Sequence, residues 1–173
     1  MTLYHPLVVE TKIMLENVGR WLDKAGEHAK AKNFDPEVLL QARLAPDQFP
    51  LLRQVQAACD AAKFAAARVS GKTPPSHPDT EKTLDEIRAR IGAVTAYLDT
   101  FTAKDFEGAP NARVPLPFIP GGTKGANGPN YFVALAMPNF FFHVVHVYAI
   151  LRHNGVPLGK PDFIGPGLEI IDL

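Results

Sequence analysis

One cysteine, Cys59, stands in 173 residues. No intramolecular disulfide can form, so packing must hold the fold together, as in a reducing compartment. An excess of either charge is also missing: Lys plus Arg and Asp plus Glu number 18 each, and the formal net charge is zero. Attracting nucleic acid or an anionic membrane through the protein's own field needs a basic surplus, so neither partner is expected. The first residues, with Thr2, Tyr4, His5, Glu10 and Lys12, lack the basic-then-apolar order of a secretory leader. Uninterrupted apolar runs are short. Pro138, Asn139, His143 and His146 break even the richest one, so no stretch is expected to reach the roughly 20 residues of a spanning helix. The expectation is a cytoplasmic protein that meets neither membrane nor nucleic acid. Internal repeats and low-complexity tracts are absent as well.

What is present is enough apolar material, 46% of the chain, for one core and one domain over residues 1–173. From Tyr4 to Lys32, Val8, Thr11, Leu15, Val18, Leu22, Ala25 and Ala29 recur at spacings of three and four, which predicts a long helix. Asp35-Pro36 reads as an N-cap with proline at the first helical position, opening a short helix through Leu39 and Leu40 that Ala45-Pro46 should end. A second long helix follows Pro50, with Leu52, Val55, Cys59, Ala62, Ala66 and Val69 on one face and Gly71 as its stop. Its many small residues permit a neighbouring helix to approach closely. After the proline-rich break Lys72 to Pro78, Asp79 or Thr80 should cap a third helix bearing Leu84, Ile87, Ile91, Val94, Leu98 and Phe101.

Thr102 to Pro129 is too long for a simple turn. A stretch of this length predicts a hairpin, or a crossover that sets the last helix beside the third. The last helix should run from about Asn130 to Asn154, kinked or restarted at Pro138, with Gly155 and Pro157 ending it. The tail carries Phe163, Ile164, Leu168, Ile170 and Ile171 and is expected to pack back on the body.

Chemistry concentrates on that last helix, where PNFFFHVVHVYAILRHNG holds three of the six histidines. At about 100 degrees per residue, His143 shares the inward face with Val147, Ile150 and Leu151, while Phe140 and His146 lie at its margins. His143 and His146 are one turn apart, near enough to meet one ligand. A divalent metal would need further ligands from another helix. The second helix offers Gln56, Asp60 and Lys63 on a polar strip, Asp60 being the best carboxylate, whereas His28 on the first helix lies off the apolar stripe. Equally, a buried His143 can act as a strut, hydrogen-bonded across the helices to Asp60, Gln56 or a carbonyl. His153, beside Arg152 at the helix end, suits the C-terminal dipole. Tyr148 and Arg152, opposite His143, suit a surface contact. Gly121-Gly-Thr-Lys-Gly125 lacks the spacing of a phosphate loop and reads as a turn. Cys59 on an apolar face reads as a small hydrophobe. Thr73 to Pro78, although it contains His77, reads as a rigid turn.

PNFFFH and YAILRHNG, together with FPLLRQVQAACDAAKFAAARVSG on the second helix, resemble an uncharacterised bacterial family of unknown function within the DinB/YfiT-like superfamily. The resemblance covers nearly the whole chain. It implies an all-α four-helix bundle of up-down-down-up connectivity, often dimeric, whose better-known members bind a divalent metal through three histidines and include thiol-dependent transferases. In those members one histidine lies on helix two and an H-x-x-x-H pair lies on the last helix. Here helix two has none, and the position four after His143 is Val147, so only His143 carries over. His146 at three-residue spacing, with Asp60 or Gln56, would have to complete a site for zinc, nickel or iron.

Two functions follow as expectations. One is a dimeric binding or scaffold protein, a homodimer with a degenerate metal site and room for a small-molecule ligand. The other is a metal-dependent or thiol-transferase-like enzyme using His143 and His146.

Overall fold

A computed structural model describes residues 3–167 and 171, and most of them are helical. The first helix, α1 (Tyr4–Lys32), buries every residue of its predicted stripe. It stops where Asn33 turns left-handed at φ 57° and its N–H reaches back to the last carbonyls. Asp35 caps the following 3-10 turn, Pro36–Gln41, by accepting from the Glu37 N–H. That turn ends at Gln41, ahead of Ala45-Pro46, because Ala42 already has extended backbone.

The second helix, α2 (Leu51–Ser70), ends at Gly71, which has φ 77°. It differs from the one-faced helix expected. Gln54, Gln56 and Lys63 are buried along with Leu51, Val55, Cys59, Ala62 and Ala66, because α1, the third helix and the last helix all pack on it. Leu52, placed on the apolar face by periodicity, is only half-buried. The third helix, α3 (Leu84–Leu98), starts later than expected. Its cap is Thr83, not Asp79 or Thr80: the Thr83 hydroxyl accepts from the Glu86 N–H and the Glu86 carboxylate accepts from the Thr83 N–H. Leu84, Ile87, Ile91, Val94 and Leu98 are buried as predicted, and Phe101 is buried just past the helix end.

The long connection does contain a hairpin. Two 3-10 turns, Ala103–Phe106 and Ala109–Asn111, lead into β1 (Arg113–Pro115), which pairs antiparallel with β2 (Gly125–Asn127) and sets Val114 opposite Ala126. Gly121 and Gly122 take positive φ at its far end, as the turn reading requires. Gly128 follows directly, and any Cβ there would overlap the Ala109 carbonyl oxygen, so only glycine fits where the hairpin hands over to a helix.

From Gly128 to His153 the chain is one continuous helix with three parts: α4 (Gly128–Tyr131), a π segment (Phe132–Ala136) and α5 (Met137–His153). The π segment ends two residues before Pro138. Widening the turn there accommodates a residue that cannot donate to the ladder, so the proline does not end the helix. As a result this helix is long and apolar enough to cross a bilayer by length and composition, with a mean hydropathy of 1.6 in its most apolar window. That corrects the expectation of a broken run: two histidines and a proline do not offset so many aliphatic and aromatic neighbours. The inner side of the helix packs on α2.

The tail folds onto α1 through α6 (Lys160–Ile164). Trp21 stacks on Phe163 with centroids 5.5 Å apart and donates its indole N–H to the Asp162 carbonyl at 2.9 Å. Tyr148 meets both rings edge-on, so it is a packing residue and not the free contact expected. Leu168 and Ile170 lie outside the described residues, and Ile171 is exposed.

Candidate functional site

A cleft of about 350 Å³ opens between α2 and the last helix. On α2, Arg53, Ala57, Asp60, Ala61, Phe64 and Arg68 line it, which are spacings of three and four and hence one helix face. The opposite wall is Tyr131, Leu135, Ala136, Asn139 and His143, and Phe118 from the hairpin loop overhangs. Small residues at 57, 61 and 136 leave the hollow, and the polar groups stand towards its ends.

His143 is 9% exposed. Its Nδ1 donates to the Oε1 of Gln54 at 2.8 Å, and the Gln54 amide in turn donates to the Phe49 carbonyl at 3.4 Å. An oxygen acceptor fixes the proton on Nδ1 and leaves Nε2 with a lone pair. Among the described residues Nε2 has no hydrogen-bond partner. Burial, then the nearby His146 and Arg53, hold the imidazole below its ordinary value of 6.5, which favours the neutral ring. The inward strut is therefore present, with Gln54 as its partner in place of Asp60 or Gln56.

The other proposed ligands are committed elsewhere. His146 donates from Nδ1 to the Phe142 carbonyl at 2.6 Å, and its Nε2 is 3.2 Å from the Gln48 side-chain nitrogen, which must donate to it. Gln56 donates to Glu81 at 2.9 Å and accepts from Arg53 at 3.3 Å. Asp60 pairs with both Arg90 and Lys63 at 2.8 Å. His28 packs edge-on to Phe34. Only Asp60 and His143 share the cleft. Among the described residues no three His, Cys, Asp or Glu side chains are grouped to hold a metal ion. The donor set thus does not fit the three-ligand site that the family resemblance implies: the neutral His143 with its free Nε2 is a competent ligand, but Asp60 is held by two cations and no third donor joins them among the described residues.

Behind the cleft lies a polar network that the sequence reading did not find. Arg90 on α3 has a side chain 1% exposed and reaches Asp60, Asp79 and Glu81 at 2.8, 2.9 and 3.1 Å. Arg53 pairs with Asp79, and Lys63 approaches His77 Nδ1 at 3.2 Å. Burial would raise Asp79 and Glu81, but hydrogen bonds and cations outweigh it and hold both carboxyls low. Burial, then Lys63 and Arg90, push His77 down. The fully buried Cys59 thiol beside this network is pushed up to about 12, so it is inert, as expected of a small core residue. A signal did exist for this network. Arg90 interrupts the stripe between Ile87 and Val94, and Lys63 falls between Cys59 and Ala66, so each charge sits on an inward face.

Arg68 has a different environment. Its guanidinium lies 4.7 Å from the Phe64 ring centroid and 5.7 Å from that of Tyr131, and no ion pair is formed with it among the described residues. Tyr131 is pinned by donating its hydroxyl to the Phe64 carbonyl at 3.3 Å. Phe64 and Arg68 are one turn apart on α2, but nothing local in the sequence links them to Tyr131.

Comparison with known proteins agrees with the fold. The family model described as "Domain of unknown function (DUF1993)" matches residues 3–164. A crystal structure described as a DinB family member protein from Shewanella denitrificans, at 1.83 Å resolution, is 43% identical, with a TM-score of 0.92 over 98% of this chain and 96% of that one. No curated protein matches the chain.

Proposed function

The chain belongs to the family described as Domain of unknown function (DUF1993), and on that premise we propose that it is a non-enzymatic, homodimeric binding protein of the DinB-like four-helix-bundle type. A small molecule occupies the cleft between α2 and the last helix, and His143 serves it as a hydrogen-bonding group, with no metal. The observation that carries this reading is the His143 ring itself: one nitrogen is locked by Gln54, the other is left with its lone pair beside an open hollow, His146 and Gln56 bond elsewhere, and Asp60 at the cleft is held by Arg90 and Lys63. An up-down-down-up helix order is supported by the cross-links. Asp23 meets Arg88 and Lys12 meets Asp99, Asp60 meets Arg90 and Gln56 meets Glu81, and Gln54 meets His143 and Phe64 meets Tyr131. Read along the chain, α1 opposes α3, α2 follows α3, and α2 opposes the last helix.

The dimer rests on the outer side of that last helix. From Gly128 to Leu151 it has no Asp, Glu, Lys or Arg. Val133, Phe142 and Val145 stand exposed there, at 68%, 54% and 47%. Exposed apolar side chains on a helix free of charge suit an interaction face, and a two-fold contact between uncharged copies meets no like-charge repulsion. Cytoplasmic placement suits the reduced, inert Cys59.

Metal analysis of protein purified without a histidine tag tests the metal-free part. Substoichiometric zinc, nickel and iron, unchanged in His143→Ala, is the expected result. A stoichiometric metal that His143→Ala releases would instead support the enzyme reading.

A further inference from the structure

We propose that the cleft is selective for a small organic monoanion, a carboxylate carried on an apolar body, with Arg68 as the residue that binds the carboxylate. The inference rests on the cleft being a binding site and adds the chemical class of its ligand. Charge in the cleft decides the sign. Arg53 is neutralised by Asp79, and Asp60 is shared between Arg90 and Lys63. His143 is held below its ordinary value, hence neutral at pH 7. Arg68 remains as the one lining charge with no opposite partner among the described residues. A cation in a partly enclosed, low-dielectric hollow favours one negative charge, and a second would lack compensation.

Geometry then decides the kind of anion. The guanidinium carbon lies over the Phe64 and Tyr131 rings, and its N–H groups pair with no carboxylate among the described residues, so they can serve a ligand. Planar forked donors set beside two aromatic rings match a carboxylate in a bidentate mode and fix its orientation. The hollow beyond is walled by Ala57, Ala61, Leu135 and Ala136. These offer apolar contact and no hydrogen bonds from their side chains, so the body of the ligand must be apolar. At about 350 Å³ the cleft is at the small end of the range for organic ligands. His143 Nε2, an acceptor, adds a place for one donor on the ligand.

The test uses 3-phenylpropanoate, its uncharged isostere 3-phenylpropanamide, and phenyl phosphate, each titrated into full-length, isotopically labelled protein and followed by amide NMR. The acid should shift resonances of Ala61, Phe64, Arg68, Tyr131 and Ala136 and bind at least about tenfold tighter than the amide, the discrimination expected of one charge-assisted pair. Arg68→Gln should erase that preference, Arg68→Lys should keep part of it, and added salt should weaken the acid alone. Phenyl phosphate, being doubly charged, should bind more weakly than the acid. Phosphate binding tighter than the acid would overturn the monocarboxylate assignment. Equal binding of acid and amide in the cleft would overturn the anion selectivity while leaving the binding-protein reading intact. Shifts confined to other surfaces, or no shifts with any of the three, would remove the cleft itself and both readings with it.

Discussion

His143 and Arg90 are two of the residues whose burial demands a partner, and each has one. Truncating His143 to alanine leaves a small void and an orphaned Gln54, so it should cost about 1 to 3 kcal/mol in denaturant unfolding. An unchanged midpoint would contradict the Nδ1 to Gln54 bond. The lowered folded-state pKa also sets a pH dependence. As pH falls, the unfolded chain takes up the proton first, at about 6.5, so stability is full above that pH and declines toward the folded-state value. His77 shifts the same way, so the informative quantity is the difference between wild type and His143→Gln, whose pH slope between neutral and mildly acidic conditions should be shallower. Equal slopes would exclude His143 as a contributor. The Asp79 and Glu81 shifts act in a separate, more acidic window: these depressed carboxyls stabilise above about pH 4.5 and lose that contribution below it. Arg90→Met strips the common partner from three carboxylates. It should cost about 3 kcal/mol, the low end for breaking a buried pair, because Asp60 and Asp79 keep some contact with water. A neutral outcome would mean the network carries no net energy.

Among the elements, α3 is the most exposed to a packing test, since its cap and its stripe are both defined. Ile91→Ala opens a cavity between α3 and its neighbours and should cost about 2 to 5 kcal/mol, and Thr83→Ala should cost about 1 kcal/mol by removing the cap. Near-neutral Ile91→Ala would overturn the placement of that face. Much of this level was readable from the chain. The α1 and α3 stripes, the stops at Gly71 and Gly155 and the presence of a hairpin follow from local periodicity and backbone preference. What periodicity misplaced has nonlocal causes. Periodicity offers Asp79 or Thr80 as the cap of α3, yet Asp79 is held by Arg53 and Arg90, and Thr83 caps the helix instead. Pro138 read as a break because the sequence does not display a π turn.

At the scale of the whole molecule, the site is where several helices contribute one group each, and that is why it was only partly legible. The inward direction of His143 could be read from its helix face alone. Its partner Gln54 could not, since it belongs to neither the apolar face nor the Gln56, Asp60 and Lys63 strip of α2, and the approach of Arg68 to Tyr131 joins segments far apart in the chain. The same scale carries the proposed dimer, because only the assembled fold shows which side of the last helix is left uncovered. Val145→Asp on that outer side should convert a dimer to a monomer in light scattering while leaving the helical circular dichroism unchanged. A wild-type monomer at micromolar concentration would dispose of the dimer. The central claim concerns one ring, and nitrogen NMR of the His143 imidazole reads it directly. The account predicts a neutral ring protonated on Nδ1, with an Nε2 resonance that zinc leaves in place and a cleft ligand moves; a metal-shifted Nε2 at one equivalent of zinc would contradict it.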